Sequence, residues 1–326
     1  MSIPTGEVAG EDLFALATAA ADDLYNFRDN YFRLTSEERD SKLQSQSDLA
    51  LQILDKIPIE KRKLPLQRAT YEYLRGKILD AVPVYKKEAE DHLSKAVKLN
   101  PSLVDAWLCL GNCIWKKGDL NAAKNCFTFA LGKGPNKKIL CQLSMLERKL
   151  SHDAENPEEI VDESIKHARE AITLDVKDGY SWYNLGNAFL ISFFVTGSWD
   201  HSKLLQSLKA YQNAVYWLYV EHFKSVMLYV LFRNLEPLLI LDPFQERDEK
   251  MKSNPDLYYS CATVNKYLEN YERALTGFEA AALMDPGLSA MEDARMIVLL
   301  LDKLDYLLRG QTKAKRLSSL SSSLAT

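Results

Sequence analysis

The stretch Val104–Lys137, VDAWLCLGNCIWKKGDLNAAKNCFTFALGKGPNK, decides the fold. Its first half holds Trp107, Leu110, Gly111 and Ile114, and its second half holds Ala123, Phe127, Ala130 and Pro135. That order of large, small and breaker residues describes two antiparallel helices closing on each other over about 34 residues. Trp107 and Phe127 are expected to fill the gap between the helices. Gly111 and Ala123 are expected to stay small where the two backbones approach. Pro135 lacks an N–H and restricts the residue before it, so it is expected to end the second helix. One hairpin cannot bury both of its apolar faces, which predicts neighbours of the same kind. Stacked hairpins build a groove, and a groove is a shape that holds a peptide.

The spacing is that of a tetratricopeptide unit with Ile114 in place of the usual Tyr. Neighbouring copies are present. Back from Pro101 the chain gives Gly76, Ala89, Leu93 and Ala96, with the Gly one place early. From Gly179 it gives Trp182, Leu185, Gly186 and Phe189, then Ser207, Tyr211 and Ala214 about nine residues late against the repeat. The first helix or the turn of that unit is therefore expected to be extended. From Pro255 it gives Tyr258, Ala262, Ala274, Phe278, Ala281 and Pro286 in register. A degenerate unit pairs a first helix at Asn136–Leu150 with a second helix carrying Ser164, Ala168 and Ala171, the two separated by an acidic insert at His152–Glu163. The predicted fold is all-α, a right-handed tetratricopeptide (TPR) helical solenoid.

Composition agrees. The chain has 326 residues, 47% hydrophobic, with only 13 Gly and 11 Pro. A net charge of −4 argues against binding nucleic acid through the whole surface, so no specific DNA binding is expected. Five cysteines (Cys109, Cys113, Cys126, Cys141 and Cys261) without paired spacing argue against a disulfide framework and for a reducing compartment. Cys109 and Cys113 are one helical turn apart, but no Cys/His pair follows at zinc spacing, so both read as core. The five histidines sit in no nucleophile elbow, H-E-x-x-H or triad context, and no phosphate-binding glycine loop occurs. The chain is therefore expected to be no enzyme and to need no metal or cofactor. Met1–Asp12 has early acids and no apolar core, unlike a secretory signal.

Outside the repeats, Glu11–Leu34 and Ser36–Ile57 are predicted helices, the second opened by Thr35 with Glu38 three residues on. Residues 1–64 read as an amino-terminal helical cap and residues 65–308 as the solenoid. A membrane-surface helix is the alternative for the first of these, but its polar face is acidic rather than basic. Tyr216–Phe244 is an atypical apolar stretch, too interrupted to span a bilayer, and the insert is bounded at about 216–245. No membrane is expected as a partner. Residues 309–326 form a basic, Ser-rich tail, read as solvated and disordered.

In a unit of this kind the first helix lines the groove. The groove positions include Asp105, Leu108, Cys109, Asn112, Trp115 and Lys116 in the Val104 unit. They include Tyr183, Asn184 and Asn187 in the Gly179 unit, and Asp256, Tyr259, Ser260 and Thr263 in the Pro255 unit. Amides bond an extended peptide backbone, carboxylates select basic side chains, and aromatics give rigid contact area. A chaperone-tail reading would need Lys or Arg where Asp105 and Asp256 stand.

Several stretches also carry a narrower resemblance: KAVKLNPSLVDAWLCLGNCIWKKGDLNAAKNCF, QLSMLERKL, KDGYSWYNLGNAFL, SNPDLYYSCATVNKYLENYERALTGFEAAALMDP and KAKRL. In this order they resemble the tetratricopeptide repeat protein 5 (Strap) family, over roughly residues 65–215 and 246–317. Tyr216–Gln245 has no counterpart there, Ala290 stands where the family carries an acid, and no OB-fold sequence follows, so the resemblance is to the repeats alone. It implies an adaptor, cytoplasmic and nuclear, that binds protein or peptide partners. Two roles are implied: reading the nascent Met-Arg-Glu-Ile terminus of tubulin at the ribosome, which triggers tubulin mRNA decay, or scaffolding transcriptional coactivators in the nuclear stress response. It also implies that Arg148 meets the peptide Glu, that Asp256 meets the peptide Arg, and that Lys313 and Lys315 contact the ribosome.

Overall fold

The structure is a computed structural model that describes residues 8–30, 36–214 and 249–323. The Thr35 cap and the apolar stretch Tyr216–Phe244 lie outside the described residues. Every regular element among the described residues is helical. They divide into two compact bodies, Met1–Asn254 and Pro255–Thr326.

The first body opens with α1 (Val8–Asn30) and α2 (Ser36–Asp55). Ala17, Ala21 and Leu24 of α1 share one core with Leu43, Ala50 and Leu54 of α2 and with Tyr71, Leu74 and Ile78 of the repeat that follows. A single turn, α3 (Ile59–Arg62), leads into the repeats. They are the hairpins α4 (Pro65–Asp80) with α5 (Lys87–Leu99), α6 (Val104–Lys117) with α7 (Leu120–Leu131), α8 (Lys137–Leu150) with α9 (Pro157–Leu174), and α10 (Gly179–Val195) with α11, residues 201–214. A further turn, α12 (Glu249–Lys252), precedes the second body.

The chain sets these boundaries locally. Gly118 ends α6 in the left-handed region at φ 96°, which an L side chain rarely adopts. Asp119 then caps α7 by accepting from Ala122 N at 3.0 Å. Asn136 does the same for α8, toward Lys138 N and Ile139 N. Helix α7 stops at Leu131, ahead of Pro135. The turn through Gly132 and Gly134 ends it, not the proline.

Two assigned packing roles change. A Cβ on Gly111 would lie 2.3 Å from the Phe127 ring, so Gly111 makes room for an aromatic side chain rather than for a backbone. Gly186 does the same for Tyr211, again at 2.3 Å. Trp107 is half-buried and does not fill the hairpin as Phe127 does. It lies against Phe129 with ring centroids 4.4 Å apart, and its Nε1 donates to Pro101 O at 3.0 Å. Trp182 repeats the device, donating to Val176 O at 2.8 Å. Each indole ties its first helix to the loop that enters it.

The extended hairpin has both features allowed for it. Helix α10 runs 17 residues against 14 for α6, and residues 196–200 form a longer turn. The acidic insert is shorter than expected. Pro157 starts α9, which takes in most of His152–Glu163, and only a 3-10 turn at Ser151–Asp153 and a short loop separate α8 from α9.

The second body packs α13 (Pro255–Tyr267), α14 (Tyr271–Met284) and α15 (Ala290–Ser323) around Ala262, Phe278, Ala281, Ala294 and Ile297. The tail expected to be disordered continues α15 as helix to Ser323. No proline interrupts it, and Asp305 and Arg309 pair at 2.8 Å one turn apart.

Candidate functional site

Four helices of the first body converge on Arg148. It stands in the last turn of α8, with Ser144 one turn before it. Ser164 of α9 is small enough to let the two helices close, and its hydroxyl donates to Ser144 O at 2.8 Å. Arg148 Nη1 donates to Ser144 Oγ at 2.8 Å and to Ser164 Oγ at 3.3 Å. Nη2 donates to Asn184 Oδ1 of α10 at 2.8 Å. Every one of these acceptors is neutral, and no described carboxylate pairs with Arg148. Burial pulls its pKa down. A desolvated cation with no counter-charge is costly on its own and is suited to receive an anion.

Three tyrosines surround the cation. The Tyr180 and Tyr183 ring centroids lie 6.3 Å apart, and those of Tyr183 and Tyr211 lie 6.0 Å apart. Tyr211 is fully buried under Gly186 and donates its hydroxyl to Asn187 Oδ1 at 2.6 Å. Phe127, which faces Gly111 in the α6–α7 hairpin as Tyr211 faces Gly186, has no hydroxyl to give. Burial, above all, raises the Tyr180 pKa. Asn187 is half-buried with its oxygen engaged, and its Nδ2 has no partner among the described residues.

The structure therefore brings Arg148, Asn184 and Asn187 together, but changes one role. Asn184 is buried and spends its carboxamide on Arg148 and on Cys141 O, so it aims the cation instead of lining the groove. Asp105 is exposed in the first turn of α6 and Asn112 is half-buried two turns on, both on the α6 hairpin and apart from Arg148 in sequence. There Cys109 is buried in a core against which Tyr73 of α4 packs. Lys116, assigned to the groove, is committed elsewhere. It binds the buried Asp80 carboxylate at 3.0 Å and Val82 O at 2.9 Å. Asp80 sits at the end of a helix with no spacing that would single it out, so the sequence reading missed it.

Asp256 is exposed in the first turn of α13, in the second body. That body also holds an acid the sequence reading missed. Asp293 of α15 accepts from Tyr259 Oη at 2.7 Å and from Lys266 Nζ at 2.9 Å. Burial works against its ionised form, but these two donors prevail and hold its pKa below the usual value. Thr263, placed on the same face, returns its hydroxyl to Tyr259 O. Lys313 and Lys315 fall on α15, and their side chains lie outside the described residues.

Cys109, Cys113, Cys126 and Cys141 are buried in the core, and Cys261 is half-buried. Burial pushes Cys109 and Cys113 up to about 12 and Cys126 and Cys141 up to about 11, far from a reactive thiolate. Among the described residues no group of three His, Cys, Asp or Glu could hold a metal ion, and no helix is long and apolar enough to cross a membrane.

No family model matches the chain. It is 36% identical over 312 residues to tetratricopeptide repeat protein 5 of Homo sapiens, covering 93% of this chain. It is 37% identical over 313 residues to the protein of the same name from Mus musculus. The chain spans 63% of the length of each of these relatives. Among solved structures, the Cut9–Hcn1 hetero-tetramer of APC/C matches with a TM-score of 0.51 at 14% identity, over 91% of this chain and 51% of that one, a likeness of fold alone.

Proposed function

From a chain that belongs, over its repeats, to the tetratricopeptide repeat protein 5 family, we propose a non-catalytic adaptor that captures an extended peptide along the first helices of its hairpins. One observation carries this reading: the half-buried Arg148 guanidinium is held by two serines and an asparagine and meets no described carboxylate. An acidic peptide side chain completes it through charge-assisted bonds. The tyrosines beside it give rigid contact area, and Asn187 Nδ2 offers a donor to a peptide carbonyl.

The finer reading is that the peptide is the nascent tubulin terminus Met-Arg-Glu-Ile, read in the cytoplasm at the ribosome. Its Glu pairs with Arg148 and its Arg with Asp256, while Lys313 and Lys315 on α15 contact ribosomal phosphate. Ribosome–nascent-chain complexes displaying this terminus test it. Wild type is retained on them. Lys313→Glu with Lys315→Glu loses ribosome association, more so as salt rises, while free-peptide binding persists. Equal retention on complexes displaying an unrelated terminus overturns the tubulin reading.

A further inference from the structure

A second surface lies far in sequence from the Arg148 site, on the knuckle that joins α2 to α4. Ile59, Leu64 and Leu66 are 62%, 55% and 71% exposed there, three large aliphatic side chains within eight residues. Isolated exposed aliphatics are ordinary, but a cluster of them is not.

Arg62 pins the knuckle from inside. Its Nε donates to Ile57 O at 2.7 Å and its Nη1 to Tyr71 Oη at 3.1 Å. Its Nη2 donates to Asp55 O, and the guanidinium lies over the Tyr71 ring at 4.6 Å. Pro58 and Pro65 stiffen the two ends, Pro65 as the first residue of α4. The aliphatic side chains are thus presented on an ordered backbone, so little ordering cost remains for a partner to meet.

The charge around them is mostly positive. Lys61, Lys63 and Arg68 flank the three aliphatics, with Glu60 the one acid between Ile59 and Arg68. This in a chain of net charge −4 makes the knuckle a basic, apolar island. Lys63 and Arg68 are exposed.

We infer that the Ile59–Arg68 knuckle is a docking site for an acidic amphipathic helix of a partner protein. The partner's apolar stripe covers Ile59, Leu64 and Leu66, and its carboxylates face Lys63 and Arg68. A bilayer is disfavoured because Ile59 sits on a one-turn helix, Leu64 in the loop and Leu66 in the first turn of α4, so the three do not form the apolar face of one amphipathic helix able to lie in an interface. The inference stands apart from the peptide reading of Arg148, since no residue is shared. It gives an adaptor the second surface that joining two partners requires.

The test uses the whole chain and a fluorescein-labelled synthetic helix with Leu at i, i+3, i+4 and i+7 and Glu on its other faces. A control peptide carries Lys in place of Glu. Anisotropy is expected to show saturable binding of the acidic peptide and none of the basic one. Leu64→Ser with Leu66→Ser, and separately Lys63→Glu with Arg68→Glu, are expected to weaken it by roughly tenfold or more. These side chains are exposed, so both variants keep the wild-type circular dichroism and melting profile. Arg148→Glu is expected to leave this binding unchanged while abolishing groove binding, so the two proposals fail separately. Absence of acidic-peptide binding, or equal binding by both double variants, overturns the inference. So does sedimentation with phosphatidylcholine vesicles containing one-fifth phosphatidylserine that the same variants abolish, since that outcome identifies the knuckle as a lipid contact.

Discussion

Arg148 on α8 donates from Nη2 to Asn184 Oδ1 on α10 at 2.8 Å, so an amide from the next hairpin aims the cation. The two residues belong to successive repeats, and neither repeat alone makes the site. Exchanging Asn184 for the near-isosteric Asp puts a carboxylate at the same atom. Asn184→Asp is expected to satisfy the guanidinium internally and weaken binding of a peptide Glu by roughly tenfold or more, with the fold intact. Isothermal titration with an acidic peptide reads the change. Undiminished affinity means the ligand does not use this cation.

Packing gives a second expectation, with an order attached. Phe127→Ala empties a fully buried site and is expected to cost about 3–5 kcal/mol. Trp107→Ala removes a half-buried ring that touches Phe129 and ties the entering loop, so it costs less. Urea unfolding of both variants checks the order, and a reversal would put the hairpin core at Trp107.

Gly186→Ala adds a methyl 2.3 Å from the Tyr211 ring. Tyr211 is fully buried and bonded to Asn187, so it has little room to yield. Overpacking of this kind costs about 1–3 kcal/mol. The variant is also expected to shift Asn187 and weaken peptide binding. Tyr211→Phe is the milder counterpart, losing the hydroxyl contact while keeping the ring. A melting temperature unchanged in Gly186→Ala would contradict the close approach.

Stability is expected to depend on pH through His167. Its ring pairs with the buried Glu147 at 2.9 Å, and Lys124 of α7 holds the other carboxylate oxygen at 3.2 Å. The hydrogen bond that the His167 ring donates to the Glu147 carboxylate raises the His167 pKa above its ordinary value, with burial opposing. A raised folded-state value means the folded chain binds the proton more tightly. The stabilisation is complete below about 6.5 and is lost as pH rises through the raised value. His167→Gln is expected to flatten that part of the stability profile, measured by denaturant midpoints across neutral pH. A variant with the wild-type slope would assign the slope to other groups.

The repeat was legible because its signals are local. Gly111, Phe127 and the 34-residue spacing are fixed by contacts within one hairpin, and the same holds for Gly186 with Tyr211 despite the late second helix. What failed depended on partners outside the hairpin. Lys116 occupies a groove position of its helix, yet Asp80 of the preceding unit draws it away. Asn184 occupies one too, but Arg148 of α8 claims its carboxamide. Asp293 went unseen because it lies beyond the last repeat, on a helix with no consensus of its own. Arg148 was reached by family resemblance. Its serine and asparagine acceptors come from three helices, and no one-dimensional spacing joins them.

The central claim is that Arg148 reads an acidic residue of a bound peptide. Anisotropy titration of labelled Met-Arg-Glu-Ile against wild type, Arg148→Glu and Asp256→Arg tests it most directly. The account predicts saturable binding by wild type and loss of binding in each variant. It also predicts partial recovery when the double variant meets a peptide with the Arg and Glu exchanged in sign. Wild-type affinity retained by Arg148→Glu would contradict it.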